Sequence, residues 1–212
     1  MIAGILQCNH KNLFSKSYAT ASLALYKDTP ILVTAGHNVF DPIKNEFEDT
    51  ILFKCGDKKL IVKEIAVHDL WATHQGLEYD FSFGLLENNP FPLNQITSRI
   101  IPYTFQIKHG ELLGYYKSLF SKKTAKYEGP IIGDKYFNSK LLGLKIKSHS
   151  GMSGGPWFIR KKNIENIFAV TSLEMRQLPT VSWGAPFGEE AFVLLDSLLT
   201  NSDSQSMRKK KY

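Results

Sequence analysis

Apolar residues in this chain fall in short runs separated by turn residues, and the 3.6-residue rhythm of a helix is weak. Ile31-Leu32-Val33-Thr34 is short, apolar and β-branched, and Lys27-Asp28-Thr29-Pro30 before it carries turn chemistry, so it reads as a buried strand. Ser17–Leu25 is rich in small and apolar residues and pairs with it as a hairpin ending at Ala35-Gly36-His37. Ile51–Lys54 and Leu60–Val67 form two more strands around the turn Cys55-Gly56-Asp57-Lys58-Lys59. Tyr79–Leu86 is apolar apart from Asp80, Ser82 and Gly84, and Asn88-Asn89-Pro90-Phe91-Pro92 ends it. Gly110–Tyr116, Leu141–Ile146, Trp157–Arg160, Ile167–Leu173 and Ala191–Leu194 continue the series of strands, and Asp196–Ser204 reads as a brief terminal helix or coil. Many short strands with turns between them predict an all-β barrel or sandwich.

Composition narrows this picture. A chain of 212 residues with 43% hydrophobic and 22% charged residues is globular rather than disordered. No apolar run approaches the ~20 residues that span a bilayer, so no membrane role is expected. Met1–Cys8 lacks the basic region and the long apolar run of a secretory signal. Cys8 and Cys55 allow at most one disulfide. Both features predict a reducing, cytoplasmic setting. Arg208, Lys209, Lys210 and Lys211 supply four of the six net positive charges. The basicity thus belongs to residues 201–212, which read as a solvated, disordered tail. With only Tyr212 beside it for stacking, no nucleic-acid partner is expected.

Three segments carry candidate chemistry. His37 follows an apolar strand and a glycine, Asp80 opens an otherwise apolar strand, and Ser153 sits in Gly151-Met152-Ser153-Gly154-Gly155-Pro156. A lone carboxylate in an apolar strand is costly unless it is paired. Glycines around Ser153 let the backbone turn tightly and approach a substrate. Amide hydrolysis by serine needs a base within hydrogen-bond reach, a group that orients the base, and N–H donors aimed at the developing oxyanion. Ser153, His37 and Asp80 can fill the first three roles, and the backbone N–H groups of Gly151-Met152-Ser153 the last.

These segments resemble the motifs of the trypsin-like, chymotrypsin-fold serine peptidases: Thr-Ala-Ala-His, Asp-Ile-Ala-Leu and Gly-Asp-Ser-Gly-Gly-Pro, in the chain order His, Asp, Ser. Here the order is His37, Asp80, Ser153, with gaps of 43 and 73 residues, and the resemblance covers about Ser17 to Leu194. It implies two antiparallel six-stranded β-barrels with the three residues at their interface: residues 1–95 carrying His37 and Asp80, and 96–200 carrying Ser153. The barrels would meet near Asn88–Pro102. It further implies an endopeptidase that acts on proteins or peptides through an acyl-enzyme and needs no cofactor.

The sequence departs from the family at two places. Met152 stands where the secreted members have the aspartate that receives a new N-terminus, so zymogen-type activation is not expected. Asn38 follows His37 in place of a disulfide cysteine. Both fit a compact, disulfide-poor branch. By the same resemblance Lys147, His149, Thr171, Ser172 and Leu173 wall the specificity pocket. An inward Lys147 would favour acidic side chains. The alternation of Lys145 and Lys147 with Leu144 and Ile146 favours a solvent face for it instead. His10, His68, His74 and His109 lack metal-ligand spacing, so no metal is expected. Two other readings stay open: an effector protease held inactive until a regulatory protein partner or signal orders its loops, and a protease-fold binding module without turnover.

Overall fold

The computed structural model describes residues 1–9, 16–117, 122–135, 138–175, 178–200, 202 and 206–212. Six strands close the first unit: β1 (Ile2–Asn9), β2 (Lys16–Tyr26), β3 (Thr29–Thr34), β6 (Thr50–Cys55), β7 (Lys58–His68) and β8 (Ser82–Leu86). Around the barrel their order is β1-β2-β3-β8-β7-β6 and back to β1. Closure leaves no free sheet edge between these strands. The β2–β3 turn is tighter than the sequence predicts. Lys27 and Asp28 take it alone, at φ 46° and 59°, the mirror-type turn that matches strand twist, and Thr29-Pro30 already belong to β3. A two-stranded hairpin, β4 (Phe40–Asp41) with β5 (Glu46–Phe47), follows the single 3-10 turn Gly36–Asn38. Helix α1 (Asp69–His74) follows β7.

The second unit contains β10 (His109–Lys117), β11 (Lys122–Pro130), β12 (Ile132–Gly133), β13 (Leu142–Leu144), β14 (Pro156–Lys161), β15 (Ile164–Glu174) and β16 (Ser182–Pro186). Their order is β11-β10-β14-β15-β16-β13-β12. The end strands β11 and β12 are separated only by Ile131, so chain continuity joins the two ends of this sheet. Strand β9 (Ser98–Ile100) runs parallel to both β2 and β15 and bridges the units inside the segment expected to link them.

From Phe187 onward the chain packs back on the first barrel. Helix α2 (Glu189–Thr200) replaces the strand expected over Ala191–Leu194. Apolar Ala191, Leu194, Leu195 and Leu198 recur at helical spacing and are all buried. Glu189 and Glu190 favour the positive end of the helix dipole. The four-residue run Ala191–Leu194 is too short to separate strand from helix by periodicity. Phe187, just before α2, packs 5.9 Å from Phe81 and 5.3 Å from Phe83 of the first barrel. Tyr26 and Lys27 each reach Asp196 of α2 at 2.7 Å. The two halves therefore share a core.

The disordered tail expected over 201–212 is corrected at Met207–Lys211, while residues 201 and 203–205 lie outside the described residues. Met207–Lys211 form β17, antiparallel to β7 from Met207 opposite His68 to Lys211 opposite Glu64. Composition suggests a solvated coil because four of its residues are cationic. The ladder and acidic neighbours supply what apolar burial does not.

Candidate active site

His37 lies in the 3-10 turn after β3, and Asp80 in the turn before β8. Strands β3 and β8 are hydrogen-bonded neighbours, with Thr34 opposite Ser82, so the barrel brings two residues 43 positions apart to one edge. The Asp80 carboxylate is 2% exposed and fully engaged. The His37 backbone N–H donates to Oδ1 at 2.8 Å, Nδ1 lies 2.7 Å from Oδ2, and the Ser172 hydroxyl donates to Oδ2 at 2.5 Å. Three hydrogen bonds thus converge on one buried carboxylate. Gly36 is required for the close approach: a Cβ there would sit 2.9 Å from the Trp71 ring and 3.1 Å from Asp80 Oδ1. Burial by itself pulls the His37 pKa down. The charge and hydrogen bond of Asp80 push it up, and the outcome is a value above that of an ordinary histidine.

Ser153 sits in the loop before β14, half-buried, and both of its flanks are tied to the segments just described. Its own carbonyl accepts the Thr20 N–H at 2.8 Å, and the next N–H, of Gly154, donates to the Thr171 carbonyl at 2.7 Å, one residue before Ser172. Gly154 has φ +80°, and a Cβ on it would meet Thr34 Oγ1 at 2.2 Å and Asn38 Nδ2 at 2.8 Å. The serine loop therefore packs directly on the strand and turn that carry His37. Gly151 has φ +103°. The positive φ at both positions is the physical reason for glycine there.

The Gly151–Ser153 donors divide unequally. The Met152 N–H is spent on the His149 carbonyl at 3.0 Å, which removes Met152 from the expected anion-binding set. Among the described residues the N–H groups of Gly151 and Ser153 have no acceptor. The Met152 side chain is fully buried in an apolar cluster with Leu112, Leu144 and Trp157.

Sequence reasoning missed Thr20. It is one of several small polar residues in its strand, beside Ser17 and Ser22, and nothing in the sequence sets it apart. It is fully buried, and its hydroxyl donates to the Gly151 carbonyl at 2.7 Å and accepts the Tyr115 N–H at 2.8 Å. Its carbonyl accepts the Thr34 hydroxyl at 2.9 Å, and Thr34 Oγ1 accepts from Asn38 Nδ2 at 3.0 Å. This chain connects the His37 turn to the peptide before Met152. Thr20→Val keeps the shape and strands both partners of the hydroxyl, which costs about 1–3 kcal/mol. A lower thermal midpoint together with weaker reactivity at Ser153 is the expected result, and unchanged reactivity would separate Thr20 from the loop.

A cavity of about 180 Å³ opens beside Ser153, lined by Ser148, His149, Ser150, Met152, Thr171, Ser172, Leu173 and Glu174. Four of the five expected pocket residues line it. Lys147 does not. It is exposed, as are Lys145 and His149, with half-buried Ile146 between the lysines, which corrects the cationic-pocket expectation in favour of the solvent face. Two lining hydroxyls are turned elsewhere: Ser172 holds Asp80, while Thr171 accepts from Trp157 Nε1 at 3.0 Å and donates to the Gly155 carbonyl at 3.2 Å. The Ser148 hydroxyl pairs with Ser182 at 2.7 Å. The His149 ring stacks on Tyr116 with centroids 4.6 Å apart.

His68, one of the histidines weighed as a metal ligand, instead caps a helix. Its Nδ1 accepts the Leu70 N–H at the start of α1 at 3.1 Å. His10 lies outside the described residues. Among the described residues no group of three or more histidine, cysteine or acidic side chains could hold a metal. No described helix is long and apolar enough to cross a membrane.

No family model and no curated protein sequence matches the chain. Solved structures do match its fold. The thermostable serine protease AL20 from an extremophilic microorganism aligns at TM-score 0.80 and 20% identity, over 94% of this chain and 97% of that one. Protease Anisep from Arthrobacter nicotinovorans aligns at 0.76 and 17%, over 94% of each chain. A Glu endopeptidase aligns at 0.71 and 15%, over 91% of this chain and 88% of that one. At these identities the match is one of fold, and the fold is the chymotrypsin fold, as the sequence motifs implied.

Proposed function

We propose that this chain, built on the fold it shares with those proteases, is a serine endopeptidase that works through Ser153, His37 and Asp80. The observation that carries the reading is the grip of one buried carboxylate on His37 through both its backbone N–H and its Nδ1. A histidine held in this way keeps its proton on Nδ1 and leaves Nε2 free to accept another.

In the proposed reaction His37 Nε2 takes the Ser153 hydroxyl proton as Oγ attacks the substrate carbonyl carbon. The oxyanion that forms is stabilised by the N–H groups of Gly151 and Ser153. The imidazolium, stabilised by Asp80, gives its proton to the leaving amine as the C–N bond breaks. Water then attacks the acyl-enzyme, His37 takes its proton, and Ser153 Oγ recovers that proton as the acid leaves. The scheme calls for no cofactor. Met152 in an apolar pocket asks for no ammonium partner, which supports activity without a zymogen-type N-terminus.

The test is labelling with a fluorophosphonate probe. Wild-type protein is expected to label at Ser153, and His37→Ala to lose the labelling. A wild type that does not label, although folded, would favour the binding-module or triggered-effector reading. The labelling rate should rise with pH through one ionisation, because only neutral His37 can accept the proton. Since the His37 pKa is raised, that midpoint lies above the ordinary ~6.5; a midpoint below it would contradict the Asp80 contact.

The cavity beside Ser153 would take the side chain before the scissile bond. It has no buried charge, and its lining of hydroxyls, a histidine and Leu173, with the exposed Glu174 at its edge, suits a medium-sized polar side chain. Profiling with a peptide library is expected to show such residues enriched at that position. Enrichment of tryptophan, too large for a cavity of about 180 Å³ with these walls, would place the specificity pocket elsewhere.

A further inference from the structure

The strand at the C-terminal end, which composition marked as a tail, seats beside the histidine turn. Strand β17 continues the edge of β7 where β6 leaves it: β6 covers Lys58–Ile61, and β17 covers Glu64–His68. The Tyr212 N–H adds a bond to the Lys63 carbonyl at 2.9 Å. Because side chains alternate along a strand, Arg208, Lys210 and Tyr212 share one face, and that face lies over the residues that follow His37. Lys210 Nζ and the Tyr212 hydroxyl both donate to the Glu48 carbonyl at 2.8 Å. The Arg208 guanidinium donates to the Asn45 side chain and lies 5.9 Å over the Phe40 ring.

These contacts reach the histidine turn from two sides. On one side the Glu48 N–H donates to the Val39 carbonyl at 2.9 Å, and the Val39 N–H to the Gly36 carbonyl at 3.0 Å. Asn45 belongs to the turn between β4 and β5, the hairpin that follows directly. On the other side Arg208 Nε lies 2.9 Å from Asp69 Oδ1, and the Asp69 N–H donates to the Ser206 carbonyl at 2.9 Å. Both fix the start of α1. Trp71 in that helix lies against the His37 ring, with centroids 6.4 Å apart, and leaves no room for a Cβ on Gly36. One cationic strand thus pins both walls of the turn.

We propose that β17 is a positioning element for His37, with Arg208 as its principal residue because its side chain reaches both walls, at Asn45 and at Asp69. This rests on the reading of His37 as the catalytic base. When β17 is unseated, the hairpin and Trp71 loosen, the His37–Asp80 contact lengthens, and Ser153 loses its activated base. The strand touches no substrate, and the barrel closes without it.

The experiment compares full-length wild type, Arg208→Ala, Arg208→Lys and Lys211→Ala. Two readouts are used: the fluorophosphonate labelling rate, and the titration midpoint of the His37 ring by NMR. Lys211 is exposed and serves as a charge-matched control. Arg208→Ala is expected to label about 10- to 100-fold more slowly, the loss that a misplaced catalytic group brings. Its His37 midpoint should fall back towards the ordinary value as Asp80 draws away. Arg208→Lys should fall between, since it keeps the charge near Asp69 and loses the fork, and Lys211→Ala should match wild type in both readouts.

A His37 midpoint unchanged in Arg208→Ala overturns the proposal, even where thermal stability drops, because a merely structural strand would lower stability alone. Wild-type protein that fails to label while its His37 midpoint responds to Arg208→Ala would break the protease reading and leave the clamp standing. Should Arg208→Ala not fold, Tyr212→Phe removes only the hydroxyl on the Glu48 carbonyl. It is expected to move both readouts in the same direction by a smaller factor, and no movement in either overturns the proposal.

Discussion

Ser153→Ala is expected to lower peptide hydrolysis by about 10⁶-fold, the scale at which removal of a serine nucleophile has been measured in an unrelated serine protease. The reason is that the proposed base would lose the hydroxyl it activates, while most neighbouring hydroxyls are committed: Thr20 to Gly151 and Tyr115, Thr34 to Thr20, Ser172 to Asp80, Ser148 to Ser182. Any residual rate would come from substrate binding and from the N–H groups of Gly151 and Ser153, which the substitution leaves in place. Steady-state hydrolysis of a peptide found by library profiling provides the measurement. A variant that keeps more than about one part in a hundred of the activity would mean that the chemistry belongs to another residue or to a contaminant.

Asp80→Asn is expected to cost about 10⁴-fold in kcat, with the fold retained. The substitution is nearly isosteric, but an amide cannot accept all three donors that Asp80 now accepts. If the amide NH₂ faces His37, Nδ1 must accept, the ring proton moves to Nε2, and His37 can no longer take the proton of Ser153. If the amide oxygen faces Nδ1 and Ser172 instead, the NH₂ takes the place of Oδ1 and meets the backbone N–H of His37, and a buried donor is left without an acceptor. Either arrangement lowers kcat, and neither touches the substrate pocket, so KM should move little. The check is the split between kcat and KM, read beside circular dichroism to confirm folding. A loss smaller than about 10-fold would mean that Asp80 merely supports the fold.

Much of this site is legible in the amino-acid order. The His37, Asp80 and Ser153 segments are visible because each breaks a local rule: a histidine at a strand end beside glycine, a carboxylate in an apolar strand, a serine among glycines. Such breaks can be read from neighbours in the chain. The contacts that hold the segments cannot be read in this way. Thr20, Thr34 and Ser172 are ordinary residues in ordinary strands, and only the closed barrel and its seam with the second sheet bring them to the loop and the carboxylate. Lys147 has two readings on sequence because alternation offers two faces, and in the structure its side chain is exposed and outside the lining of the cavity beside Ser153.

Local patterning is enough for the all-β class, most strand positions in the first barrel, and three residues whose types suit acyl transfer. Periodicity, turn residues and side-chain chemistry within a few positions set all of these. Only the folded structure decided that Ala191–Leu194 is helix, that the cationic end lies as a strand on β7, and that the local turn points the Met152 N–H at the His149 carbonyl. Each of these depends on a partner far away in the chain or on the exact path of the backbone. A short apolar run takes the form of the surface it packs on. A row of lysines takes the form of the edge and the carboxylates that receive it.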